Sequence, residues 1–205
     1  MARARGQKDR ALARKKPDKA LGHVHWIFCE GATEARCLHD LRARWRLSSV
    51  QVQIVEQVGT PWTIVERARQ KRDELKNVQN VTIYVVFDRD EHPRFQESIQ
   101  RAQALGFVLG VSVPCIELWG LLLHADQRAH IERHAAQRRL RELHTNYHHE
   151  RNPYLDLELV LAGLGDALRR ADELQRLAIE RGEPFCNPST GFGEVIRRIR
   201  PSGGA

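Results

Sequence analysis

The chain has 205 residues, 41% of them hydrophobic and 29% charged, and a formal net charge of +7. That length and balance fit one globular domain with a proper core, and no run approaches the ~18 consecutive apolar residues of a membrane span. The charge is unevenly placed: residues 1–19 carry eight Lys or Arg against two Asp, a net of +6, which leaves the other 186 residues at +1.

Residues 1–20 therefore read as a disordered basic tail, either an arm for nucleic acid or a solvated extension. The basic start lacks the apolar stretch of a secretory signal. Four cysteines, Cys29, Cys37, Cys115 and Cys186, show no CxxC and no regular spacing, against a zinc site or a disulfide framework. A reduced, cytoplasmic setting is the simplest expectation.

Past the tail, the hydrophobic period alternates. His23–Cys29 reads as a strand, and residues 33–46 as a helix, with Ala35, Leu38, Leu41 and Trp45 spaced at three and four. Val50–Val58 alternates as a strand. Thr60-Pro61 offers an N-cap and a proline at the first helical position, opening a helix over 61–75. Val81–Phe87 is the most strand-like run of the chain. A helix over 93–105 is closed by Gly106, Phe107–Val113 is a further strand, and after Pro114 an apolar helix covers Ile116–His124. This βαβαβαβα order predicts an α/β core over 21–125, a parallel sheet of about four strands flanked by helices. Residues 126–205 read as an α-helical extension packing on that core. Within it, 126–150 is polar and helical or loop-like. A helix over 155–181 carries Leu159, Ala162, Leu168, Ala171, Leu174 and Ala178 on one face, and Asn187-Pro188-Ser189-Thr190 forms a turn before a short helix, Gly193–Ile199.

Two acidic clusters stand where apolar strands stop: Glu30 in Cys29-Glu30-Gly31, and Asp88 and Asp90 in Asp88-Arg89-Asp90. Ligands of open α/β sheets bind beyond the carboxyl ends of the strands. Carboxylates gathered there repel by ~4 kcal/mol per close pair at an effective dielectric near 20, and a divalent cation reverses the sign. Hard oxygen donors suit Mg²⁺ or Mn²⁺ rather than zinc. The alternative is that Asp88 and Asp90 cap the following helix. Glu34 stands one turn beyond Glu30, as a supporting carboxylate or a first-turn acid favoured by the helix dipole. Glu117 follows the fourth strand and faces the same crevice or serves a buried network or cap. Arg89 neutralises a phosphate or pairs with Glu91. Ser189 and Thr190 cap a helix or touch a phosphate. The pairs His130/His134 and His144/His148 have a zinc-compatible i,i+4 spacing, but in charged surroundings and without the H-E-x-x-H glutamate. No G-x-x-x-x-G-K-[ST] is present, against a P-loop mechanism.

A strand ending in Glu-Gly followed by one ending in D-x-D resembles the Toprim domain. More extensively, residues 24 to 199 resemble the RloB-like family, through Cys29-Glu30-Gly31 with Thr33-Glu34, Phe87-Asp88-Arg89-Asp90, Pro114-Cys115-Ile116-Glu117-Leu118-Trp119 leading to Leu121-Leu122-Leu123-His124, and Asn187-Pro188-Ser189-Thr190. Val113 stands where the family usually has Asn, and Asn146-Tyr147-His148-His149-Glu150-Arg151 where it has a Tyr/Lys-rich segment. The resemblance implies a Toprim-like Rossmannoid core and an association with bacterial defence against phage, including abortive-infection systems paired with an ATPase. It also implies catalytic and metal-binding roles for Glu30, Asp88 and Asp90, with Glu34, Glu117 and Arg89 around them. The expected activity is a Mg²⁺- or Mn²⁺-dependent nuclease acting on DNA or RNA. The alternative is a regulatory subunit that binds metal or nucleotide and partners an ATPase.

Overall fold

A computed structural model of the protein describes residues 23–56, 59–89 and 92–201. The basic segment 1–20, the last two residues of the expected strand Val50–Val58, and Asp90 and Glu91 lie outside the described residues. The chain order is β1 (Val24–Cys29), α1 (Ala32–Arg44), β2 (Val52–Glu56), α2 (Pro61–Glu74), β3 (Val81–Asp88), α3 (Phe95–Ala104), β4 (Val108–Val113), α4 (Glu117–Leu122), α5 (Arg133–Leu143), α6 (Leu157–Glu180), β5 (Ser189–Thr190) and α7 (Phe192–Ile199).

The protein is an α/β fold built on a five-stranded sheet of order β2-β1-β3-β4-β5. β1 to β4 run parallel, and β5 joins β4 antiparallel through Ser112↔Thr190 and Val113↔Ser189. That fifth strand adds to the four expected. Where a turn and a helix cap were read at Ser189 and Thr190, the two residues are buried strand positions. Thr190 also contributes a cap: its Oγ1 accepts the Phe192 N–H at 3.2 Å and shares a 2.9 Å hydrogen bond with Ser112 Oγ.

Helices cover both faces, so the central strands read as near-continuous apolar runs. Alternation along β3 sends Tyr84 and Val86 into one core with α1, α4, α6 and α7, and Ile83, Val85 and Phe87 into a second core with α2 and α3. Thr60 caps α2 as expected, its Oγ1 accepting the Thr63 N–H at 3.4 Å, with Pro61 opening the helix. α3 closes with Gly106 at φ +72, where the Gly106 N–H meets Gln103 O at 2.9 Å and the Phe107 N–H meets Ala102 O at 3.0 Å.

The inner face of α6 is rotated from the expected one. Val160, Leu164, Ala167, Ala171, Leu174 and Ala178 are buried, whereas Leu159 is 38% exposed and Ala162 is exposed. The first half of this helix is apolar nearly all round, so its period does not select a face. A close approach does: a Cβ at Gly163 would lie 2.5 Å from the Leu123 carbonyl oxygen, which fixes the side of α6 that meets α4. No described helix is long and apolar enough to cross a membrane.

Candidate active site at the carboxyl edge of the sheet

Strand register brings the two acidic strand ends together. Cys29 is paired with Val86, and the ladder continues one step further as Glu30 N–H donates to Val86 O at 2.9 Å. Glu30 thus stands beside the last residues of β3. Its Oε2 accepts the Asp88 N–H at 3.0 Å, and its Oε1 lies 3.7 Å from His92 Nε2. Asp88 falls on the same side of β3 as Tyr84 and Val86, so its carboxylate turns toward α1 and α4. Arg133, at the start of α5, approaches Asp88 Oδ2 at 3.9 Å.

Two further carboxylates enter from helix starts, where the dipole favours negative charge. Glu34, in the first turn of α1, is buried. Gly31 before it has an ordinary extended backbone, so its small size serves another end: a Cβ there would sit 2.7 Å from Glu34 Oε2. Glu117 opens α4 and is completely buried. Its Oε1 accepts the Tyr147 hydroxyl and lies 2.9 Å from His149 Nδ1, while its Oε2 is buried without a hydrogen-bond partner.

Burial and mutual repulsion decide which of these groups carries charge. Burial pushes the Glu34 carboxyl up to about 8; a hydrogen bond from its own backbone opposes the rise, and the charges of Glu30 and Glu117 add to it. Burial also drives Asp88 well above the usual carboxylate range, reinforced by Glu34 and Glu117 and resisted by Arg133. Glu117 behaves oppositely. Burial disfavours its charge, yet hydrogen bonds from His149, Cys115, Tyr147 and its backbone prevail and bring it down to about 2. His149 is raised in return, first by its hydrogen bond to Glu117. The site therefore sets Glu117, held toward its ionised form by its hydrogen bonds, against Glu34 and Asp88, which burial pushes toward protonation.

The expected site residues are thus partly assembled. Glu30, Glu34, Asp88 and Glu117 lie within electrostatic reach of one another; Asp90 lies outside the described residues. Arg89 turns elsewhere, donating from Nη1 to Phe185 O at 3.2 Å with its guanidinium 5.7 Å from the Phe95 ring centroid. Arg133, Tyr147 and His149 are added by the structure; only the Asn146–Arg151 segment had drawn notice in the sequence, and nothing in its pattern tied it to Glu117. Among the histidines, His144 faces His124 (Nε2 to Nε2, 2.9 Å) rather than His148.

For a divalent cation the donor chemistry fits: hard carboxylate oxygens, two of them pushed toward protonation by burial and then by neighbouring charge, and a Glu117 oxygen with no partner. Among the described residues, however, no three His, Cys, Asp or Glu side chains are grouped to hold a metal ion.

The open, mostly parallel sheet with helices on both faces makes the protein an α/β fold, and the carboxylates gathered beyond its strand ends stand where ligands of such sheets commonly bind. More specifically, the chain belongs to the RloB-like protein family, which matches residues 25–199. No protein of curated function and no solved structure matches the chain.

Proposed function

We propose that the protein is a Mg²⁺- or Mn²⁺-dependent phosphodiesterase with a Toprim-like core, cutting nucleic acid in bacterial defence against phage. The observation that carries the reading is the convergence of Glu30, Glu34, Asp88 and Glu117 on one sheet edge, with Asp88 pushed toward protonation by burial and, after it, by the charges of its neighbours. Perturbed carboxyls gathered beside a cleft are a recurrent feature of functional sites. Asp88 and Asp90 would hold the cation, with the unpartnered Glu117 oxygen as a further donor. The ion's contribution is to polarise a phosphoryl oxygen and stabilise the leaving oxygen.

The chain's own groups do the rest. Glu30, anchored through Oε2 by the Asp88 N–H, presents Oε1 beside His92 as the base for an attacking water. Arg133 stands 3.9 Å from Asp88 Oδ2 and meets the phosphate charge. The buried Tyr147 and His149, whose cation Glu117 favours, hold Glu117 in place. The defence setting follows the family resemblance.

The test combines Mn²⁺ titration calorimetry with cleavage of labelled DNA and RNA. The wild type is expected to bind Mn²⁺ and cleave, and Asp88→Asn and Glu30→Gln to lower the rate at least ~100-fold, the scale of a lost acid–base group. Absence of Mn²⁺ binding, or full cleavage by Asp88→Asn, overturns the catalytic reading.

A further inference from the structure

Beside the acidic edge lies a cleft of about 500 Å³ whose lining includes Arg133, His134, Arg138, Arg141, His149 and, as its one carboxylate, Glu150. It is continuous with the site already described: Arg133 reaches Asp88, and His149 reaches Glu117. One wall is α5. At 3.6 residues per turn Arg133, His134, Arg138 and Arg141 fall within an arc of about 140°, while Ala136 and Leu140 anchor the helix in the core.

These arginines differ from many others of the fold. Arg69, Arg128, Arg170 and Arg197 are each tied to carboxylates. Arg138 and Arg141 are exposed and have no carboxylate partner among the described residues. Three residues apart on a helix, they lie side by side, about 5–6 Å between Cβ atoms. A chain body of net charge only +1 thus concentrates positive charge in one concave strip that ends at a set of acids. A cationic strip leading into carboxylates is the arrangement a phosphodiester needs: anionic along its length, and reaching a cation-binding site at the bond to be cut. Guanidinium forks match phosphate oxygens two at a time.

We infer that the cleft along α5 is the track for the backbone of a nucleic-acid strand, with Arg138 and Arg141 as phosphate contacts that feed it to the acidic edge; the inference rests on the phosphodiesterase reading above. Such contacts bind by releasing counterions, so their signature is the salt dependence of binding.

The experiment uses the full chain, in EDTA so that no cleavage intervenes, and a fluorescein-labelled single-stranded 20-mer followed by anisotropy across a salt series. Arg138→Gln/Arg141→Gln is compared with Arg67→Gln/Lys76→Gln, a matched loss of charge on α2 and the turn after it, across the sheet from α5. Circular dichroism melts check that each variant is folded. Removing two phosphate contacts is expected to flatten the log–log salt slope by about 1.4, and so to reduce by about sevenfold the affinity lost between 50 and 200 mM salt, with the control pair unchanged. Equal flattening in both pairs, or none in the first, overturns the inference. Displacement of the 20-mer by poly-glutamate as effectively as by unlabelled strand also overturns it and assigns the cleft to acidic protein segments. Because no metal is present, the two readings fail separately: an unaltered slope leaves cleavage by wild type and its loss in Asp88→Asn standing, and a flattened slope stands even where no cleavage is found.

Discussion

Glu34 offers a direct measure of how far burial has altered this site. Its carboxyl is lifted from 4.5 to about 8, first by desolvation, so the folded protein keeps a proton there that the unfolded chain releases. With the folded value above the unfolded one, the group's contribution to stability is complete below pH 4.5 and is lost as pH rises toward 8. In that window a one-proton difference costs about 1.4 kcal/mol per pH unit. From pH 5.5 to 7.5 Glu34 should therefore remove roughly 2–3 kcal/mol of stability. Glu34→Gln keeps the shape and the neutral state but cannot titrate, so its stability should fall by that much less over the same interval. Urea denaturation of both proteins in EDTA at the two pH values gives the difference directly, since the histidines and surface carboxylates cancel. Asp88 is coupled to Glu34 and does not cancel fully: wherever Glu34 ionises, its charge raises the Asp88 carboxyl, and Glu34→Gln removes that rise, which adds to the effect in the same direction. Parallel stability profiles for the two proteins, agreeing within about 0.5 kcal/mol, would mean that Glu34 is ionised in the native state and that the protonated site is wrong.

Two other consequences follow from contacts within the fold itself. Gly163→Ala places a Cβ 2.5 Å from the Leu123 carbonyl oxygen, so α6 must lift from α4, at a cost of about 1–3 kcal/mol; an unchanged melting temperature would show that the helices are not in close contact there. Imidazole ¹⁵N spectra should find His124 and His144 titrating below the usual 6.5, because burial disfavours their charge, and His149 above it, because Glu117 stabilises its cation. Glu117→Gln should return His149 toward the ordinary range, and a His149 midpoint indifferent to that change would separate the two residues.

The parts legible in the sequence are those whose local pattern and tertiary role coincide. β1, β3 and β4 are buried on both faces, so their composition alone marks them, and Thr60-Pro61 and Gly106 punctuate helices by local chemistry. Ser189 and Thr190 are different. Two polar residues have no strand signature, and only the edge of β4, reached by Ser112 and Val113, makes them one. α5 was no more than helical or loop-like in the pattern because it buries only Ala136 and Leu140 among basic side chains. The face of α6 was half legible, its second half by period and its first half only through a backbone approach that a sequence does not display. Within the site, Glu30 and Asp88 announced themselves as acids at strand ends. Tyr147 and His149 could not, since they meet Glu117 across 30 and 32 residues of chain and belong to a stretch without periodicity.

That long-range support bears on why the acids stay buried at all. An ionised carboxylate taken from water costs several kcal/mol unless paired and hydrogen-bonded. Glu117 meets this requirement with one oxygen, which takes both Tyr147 and His149, and leaves the other bare. Glu34 and Asp88 meet it by holding their protons more tightly than carboxyls in water do. A fold stabilised for its own sake would replace such a set by apolar residues of similar volume at little or no loss. Instead the carbonyl-rich end of the sheet retains four carboxylates, three of them buried, with Arg133 set against Asp88 and the arginines of α5 leading away from it. Each solution to the burial problem is incomplete in the same sense: a proton that a cation can displace, or an oxygen left without a donor. On the reading proposed above, a bound divalent cation would supply the positive charge that these groups lack.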